Sequence, residues 1–278
     1  PLYFICSQNM YKSDFSLADR ISIVSDEISE DFTDASLFAN KFHIKNFELR
    51  KFTEGRIPDI SASTLKELLD KKNHFNYAYT LISPGFFKHC VSDKIKTNHQ
   101  INRIHECIDL AKILEVRFIS VFTFKRNSRD SKVPEEIYAP LCKLKDLCES
   151  NSLTLLLENS PNCWADTADN LLSVANQTGI DVNWDPGNSL ASGHRDHQLH
   201  LVHLLPITKN IHLKNWAPDI GYCSILSGVY DLASEINYFQ DNQYPGYFCI
   251  EHHQWNTRKE STIENLNELK SIIGKFIN

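Results

Sequence analysis

From residue 21 onward the chain alternates eight times between a short apolar run of strand length and a stretch of helical length. No other feature restricts its fold as strongly. The strand-like runs are ISIVS (21–25), NFELR (46–50), FNYAYTLI (75–82), RFISVFT (117–123), LTLLLE (153–158), IDVNWD (180–185), NIHLK (210–214) and YFCIE (247–251). Each is rich in β-branched, aromatic or leucine residues and closes on turn or polar residues. Between them, INRIHECIDLAKIL (101–114) sets Ile101, Ile104, Ile108, Ala111 and Leu114 on one stripe at spacings of three and four, the signature of an amphipathic helix. Stretches 134–150 and 261–276 read the same way. In 166–179, Asp166 is expected to cap a helix that Gly179 ends. Segment 194–205 carries the weakest helical signal, and 215–228 reads as an irregular loop.

Strand–helix alternation calls for parallel strands joined by right-handed crossovers. Eight such units predict a single α/β domain closed as a (β/α)₈ TIM barrel, a fold of roughly 250 residues. Residues 1–20 lie outside the repeat as a short N-terminal extension, and 21–278 form the barrel; the alternative makes LYFIC its first strand. A doubly wound open sheet is the competing architecture. No G-x-G-x-x-G turn follows any strand, which weakens its dinucleotide-binding form.

Hydrophobic residues make up 42% of the 278, enough for a sizeable core, and the net charge of −6 gives nothing for nucleic acid or an anionic membrane to hold. The eight cysteines include no C-x-x-C pair, and several sit inside apolar runs such as YFCIE. Free thiols in a reducing cytoplasm are therefore expected. PLYFIC has no basic flank and no run of 18 apolar residues occurs, so neither signal peptide nor membrane span is expected.

In a barrel of this type the active site is built at the C-terminal ends of the strands. Those positions in the second half hold Glu158, Asp185, His212 and Glu251, from four consecutive strands and 27, 27 and 39 residues apart. Singly, each has a bland reading: a solvated loop carboxylate, or a hydrogen-bonded structural histidine. Together, three crowded carboxylates repel one another unless a cation pairs them. Three oxygen donors and one imidazole suit one divalent metal ion, Mn²⁺ first, with Mg²⁺, Co²⁺ or Zn²⁺ as alternatives.

Along LLLENSPN, ADTADNLL, GIDVNWDPGNSLASG, NIHLKNW and GYFCIEHH the sequence resembles the xylose isomerase-like barrel superfamily, in its sugar phosphate isomerase/epimerase branch. ISIVSDEISEDF and NFELR are similar to that family's first two strands, and the likeness spans roughly 21–275. It implies that Glu158, Asp185, His212 and Glu251 bind the metal, and that Glu158 and Glu251 face each other across the substrate as acid and base. Such chemistry removes a proton beside a carbonyl and returns one through an enediolate. The chain departs from the pattern at Asn188, where many relatives carry His, and at Asn215, where many carry an acid. Pro218 stands where some ketose epimerases place an Arg. These departures count against a free ketose. The strand ends LISPG and FTFKR lack the histidines of the superfamily's three-zinc DNA-repair branch, which argues against an abasic-site nuclease.

Lys214, Asn188, Trp164, Trp216, Arg50 and His253 are the candidate substrate contacts. Lys214 shares the inward face of His212, and His253 could instead orient a ligand of the metal. Trp164, Trp216 and Trp255 follow a proposed ligand by four to six residues, and could wall the site or merely pack loops. Trp184 is expected in the core. Glu48 and Arg50 share one strand face, as substrate contacts or as an ion pair. Lys125 and Arg126 could bind phosphate or be solvated. His194, His197, His200 and His203 cannot all ligate one ion from a helix. The expected function is a metal-dependent isomerase or epimerase of a small polyhydroxylated carbonyl compound: a sugar, sugar phosphate or cyclitol. The alternatives are a dehydratase of the inosose or dehydroshikimate type, and a metal-binding biosynthetic partner protein without sugar turnover. The expected partners are a small-molecule substrate and further copies of the chain, as a homodimer or homotetramer.

Overall fold

The computed structural model describes residues 17–127, 132–194 and 197–274. Eight parallel strands close a barrel: β1 (Ile21–Val24), β2 (Asn46–Leu49), β3 (Ala78–Ile82), β4 (Phe118–Val121), β5 (Thr154–Glu158), β6 (Asp181–Trp184), β7 (Thr208–Leu213) and β8 (Tyr247–Ile250). Each pairs with its neighbours in sequence, and β8 closes on β1 with Ile21 opposite Phe248 and Ile23 opposite Ile250. Strands covered on both faces read as continuous apolar runs, because neither face meets water. Ile23, Phe47, Leu81, Ile119, Leu157, Val182 and Phe248 are accordingly buried.

The elements differ from the sequence reading where local capping overrides periodicity. β3 begins at Ala78 rather than 75, because the helix Ala62–Phe75 runs up to it and ends on Asn76 in the left-handed region at φ 55°. Thr167, not Asp166, caps the helix Ala168–Thr178, with Gly179 ending it as expected. Asp166 instead meets Arg126 at 3.0 Å through both carboxylate oxygens. The stretch 215–228 is not wholly irregular: Asn215–Ala217 and Gly221–Cys223 form a small antiparallel hairpin. A second hairpin, Lys51–Phe52 with Gly55–Arg56, follows β2. The weak helix near 194–205 is a 3₁₀ turn, His197–His200, running into one α-turn, Leu201–Leu204.

Of the proposed N-terminal extension, 1–16 lie outside the described residues, and Leu17–Arg20 form a 3₁₀ turn leading into β1. Trp184 is fully buried in the layer between barrel and helices, its indole N–H donating to Glu235 at 2.7 Å. The described cysteines are all free thiols. Among the described residues no helix is long and apolar enough to cross a membrane.

Candidate metal centre and cavity

Four consecutive strands deliver the expected residues to one place. Glu158 ends β5, Asp185 follows β6 directly, His212 is the penultimate residue of β7, and Glu251 follows β8. All four are buried, and one donor atom from each lies within 4.8 Å of every other. Donors on opposite sides of an ion bound at about 2.1 Å stand roughly 4.2 Å apart, so the cluster has the dimensions of a single coordination sphere.

The stretch NWDPGN shapes Asp185 for this position. Asp185 caps the short helix Pro186–Ala191, and its Oδ1 accepts the Asn188 amide at 2.8 Å. Pro186 stands at the first helical positions, where a missing N–H costs nothing. One carboxylate oxygen is thereby committed to the helix and the other, Oδ2, turns toward the cluster. Asn159 fixes the backbone there, accepting the Asp185 amide at 2.8 Å and donating to its carbonyl at 2.7 Å.

His212 is oriented from behind. Its Nε2 lies 2.8 Å from Glu48 Oε2, which leaves Nδ1 facing Glu251 at 3.0 Å, Asp185 at 3.7 Å and Glu158 at 3.9 Å. Among the described residues neither the buried Nδ1 nor Asp185 Oδ2 makes a hydrogen bond, and Oδ2 also faces the Lys214 ammonium as an ion pair at 2.7 Å. A buried imidazole nitrogen aimed at three carboxylates, with its other nitrogen held by a carboxylate, is a familiar way to prepare a metal ligand. The donor set fits a hard or borderline divalent ion.

Glu251 is held by cations. Arg50 reaches it through Nη1 at 2.5 Å while Nη2 binds Asp26 at 2.8 Å and Glu27 at 2.7 Å. Lys214 approaches from the other side at 2.6 Å. Burial pushes the Glu251 carboxyl up, but His212, Lys214 and His253 outweigh it and hold the group well below the usual carboxylate range. Among the described residues the Glu158 carboxylate accepts only long hydrogen bonds, from Ser120 and Asn183 at 3.4 and 3.5 Å. Burial, only partly offset by His212, raises its carboxyl to about 7. Two carboxyls in one site thus have environments that push them in opposite directions, as an acid and a base require.

A cavity of about 640 Å³ opens above them, and Glu158 and Glu251 line it, as do Arg50, Asn188 and His253. Asp185 and His212 are not among its lining residues. The candidate contacts divide accordingly. Lys214 is fully buried among the carboxylates and does not line the cavity. Asn188 lines it, with its side chain committed to Asn159 at 2.9 Å and Tyr222 at 2.7 Å. His253 meets Glu251 at 3.1 Å. Trp164 and Trp216 are not cavity residues: Trp164 is buried under Arg126, and Trp216 stands in the Asn215–Ala217 hairpin strand. Trp255 does line the cavity.

Glu48 and Arg50 do not pair with each other; Glu48 serves His212 and Arg50 serves Asp26, Glu27 and Glu251. Lys125 and Arg126 lie away from the cavity, whose lining cations are Arg50, Lys51, Arg56, Lys88 and Arg258. Asp26, Glu27, Arg56 and Lys88 went unread in the sequence; the acidic pair directly after β1 was the available signal. His200 meets Asp169 at 3.3 Å, with the His194 ring 5.6 Å from its own, away from the four-donor cluster.

Among curated proteins no sequence matches this chain. Solved structures do. The probable 3-DHS dehydratase AsbF of Bacillus anthracis is 18% identical, with a TM-score of 0.72 over 90% of this chain and 98% of that one. An L-ribulose 3-epimerase is 14% identical, with a TM-score of 0.74 over 91% and 94%. The IOLI protein, solved with a binding zinc atom, is 16% identical, with a TM-score of 0.75 over 92% and 99%. At these identities the likeness is one of fold. The model of the xylose isomerase-like TIM barrel matches residues 40–272, and with the closed eight-stranded barrel already described, this chain belongs to that family.

Proposed function

We propose that this protein is a divalent-metal-dependent isomerase or epimerase acting on a small polyhydroxylated carbonyl compound. One observation carries the reading. Four potential ligands converge within 4.8 Å, and two of them, Glu158 and Glu251, also line the cavity while Asp185 and His212 stay behind. Glu158, Asp185, His212 and Glu251 would hold the ion, which supplies polarisation of neighbouring carbonyl and hydroxyl oxygens and so eases loss of the adjacent proton.

The protein's own groups account for the proton traffic. Glu251, kept ionised by Arg50 and Lys214, is suited to take a proton from carbon. Glu158, raised to about 7 chiefly by burial, is suited to hold one and return it. Return to the same carbon from the other face gives epimerisation; return to its neighbour gives aldose–ketose isomerisation. Neighbours of the same fold are named as an epimerase and as a probable dehydratase, so the fold alone does not choose between those outcomes.

The test is elemental analysis of purified protein beside Glu251→Gln and His212→Ala, followed by incubation of the manganese-loaded protein with candidate substrates in D₂O. About one equivalent of metal, reduced in both variants, and deuterium at a carbon beside the carbonyl are the expected results. Wild type that takes up no metal from added Mn²⁺ would overturn the reading. Metal without exchange would leave a binding protein, and an ene-carbonyl product would mark a lyase.

A further inference from the structure

Five cationic side chains line the cavity, and three of them are already paired with carboxylates. Arg50 is committed to Asp26, Glu27 and Glu251, while Lys51 and Arg258 share Glu30 at 2.9 and 3.0 Å. Arg56 and Lys88 are the exceptions: among the described residues neither has a carboxylate within ion-pair distance. They arrive from neighbouring strands, Arg56 on the hairpin after β2 and Lys88 on the loop after β3.

Arg56 is built into place. Its Nε donates to the Ser83 carbonyl at 2.9 Å and its Nη2 to the Ser83 hydroxyl at 3.0 Å. The guanidinium lies against Gly85, where a Cβ would come within 2.7 Å of Nε and 2.9 Å of Cζ. Gly85, at φ +74°, thus supplies both the turn and the room. Nη1 makes no hydrogen bond among the described residues. The Lys88 ammonium rests 3.7 Å from the centroid of the Phe122 ring, another cavity residue. Burial lowers the Arg56 and Lys88 pKa values, as it does for cations short of counter-charge. A fixed guanidinium with a free edge beside a flexible ammonium is a recurrent recognition unit for carboxylate and phosphate oxygens.

We propose that Arg56 and Lys88 form an oxyanion subsite, so that the substrate is a polyhydroxylated carbonyl compound carrying a carboxylate or phosphate rather than a neutral sugar. This rests on Glu158 and Glu251 being the reacting pair. The cavity then has an acidic end that performs the chemistry and a basic end that sets which molecule is presented to it. At about 640 Å³ it has the size usual for a small-ligand pocket.

Calorimetric titration of the manganese-loaded protein with D-arabinitol, D-arabinonate and D-arabinitol 1-phosphate tests this, because the three differ only in the group at C1. At least one anion should bind tenfold or more tightly than the neutral polyol, and which one does so distinguishes carboxylate from phosphate. That preference should fall to less than about threefold in Arg56→Met and in Lys88→Met. Lys88 makes no hydrogen bond among the described residues, so Lys88→Met should melt like wild type and decides the matter if Arg56→Met folds poorly. Equal affinity for all three compounds in the wild type overturns the proposal. A preference that survives both substitutions also overturns it, since the metal would then be holding the anion. Metal uptake and solvent exchange without an anion preference would sink the subsite alone. An anion preference that depends on both cations, in protein that takes up no metal, would sink the reacting centre alone.

Discussion

Arg50→Met removes the cation that Asp26, Glu27 and Glu251 share. Glu251 keeps Lys214 at 2.6 Å, and Glu27 keeps the hydrogen bond it accepts from the His253 amide at 2.8 Å. Asp26 keeps no ion-pair partner among the described residues. Breaking a buried pair from one side costs about 3–5 kcal/mol. A second route gives a similar figure: a stranded carboxyl can escape by taking a proton, which from an ordinary Asp value near 3.9 costs about 4 kcal/mol at pH 7. With smaller contributions from the two residues that keep partners, the expected loss is about 4–5 kcal/mol at pH 7. That is a large part of a typical domain's total of about 5–15 kcal/mol. Protonation becomes cheaper by about 1.4 kcal/mol per pH unit, so at pH 5 the loss should fall to roughly 2 kcal/mol. Urea unfolding of wild type and variant at both pH values measures it, and pH 5 serves if the variant does not fold at pH 7. A loss below about 1 kcal/mol at pH 7, or one that does not shrink at pH 5, would refute the reasoning.

Glu48→Gln keeps a hydrogen-bonding group beside His212 but removes the charge that orients it, and should weaken Mn²⁺ binding by roughly ten- to a hundredfold in a calorimetric titration; an unchanged affinity would show that His212 needs no such support. A Cβ at Gly187 would stand 2.6 Å from Lys214 Cγ and 2.9 Å from its carbonyl oxygen, so Gly187→Ala should cost about 1–3 kcal/mol in thermal unfolding and lower the bound metal. Burial raises the Glu235 carboxyl from 4.5 to about 7. Folding therefore takes up a proton between those values, and the stability this group contributes is full below about pH 4.5 and lost as the pH rises through about 7. The drop is of order 3 kcal/mol, and Glu235→Gln should flatten it in unfolding curves taken across that range.

The barrel was legible because each strand is covered on both faces and so appears as one apolar run. The misplacements came where a cap decided the boundary, at Asn76 and Thr167. The convergence of Glu158, Asp185, His212 and Glu251 was legible for a related reason: each sits at a strand end, a position the strand itself announces. Arg50 was legible as a candidate but not in its role, since its partners come from before β2 and from beyond β8. Asp26 and Glu27 look like solvent-facing carboxylates until Arg50 is placed beside them. Loop cations carry no mark of direction. Lys125 and Arg126 follow a strand as Lys88 does, yet only Lys88 faces the cavity. Nor did distance along the chain place the tryptophans: Trp255 reached the cavity where Trp164 and Trp216 did not.

The bond between Arg50 and Glu251 joins residues 201 positions apart, whereas those from Arg50 to Asp26 and Glu27 span only 24 and 23. A growing or refolding chain can complete the short-range pairs as soon as β1 and β2 meet. The last strand must then find a cation already fixed in place, because long loops are the slowest to close. Pulsed hydrogen-exchange labelling during refolding should find amides near 22–24 and 46–50 protected before those at 248–251; the reverse order would contradict it. The charge that steadies Glu251 thus also serves as the landing point for β8, and the barrel's seam and the candidate site are completed in a single event.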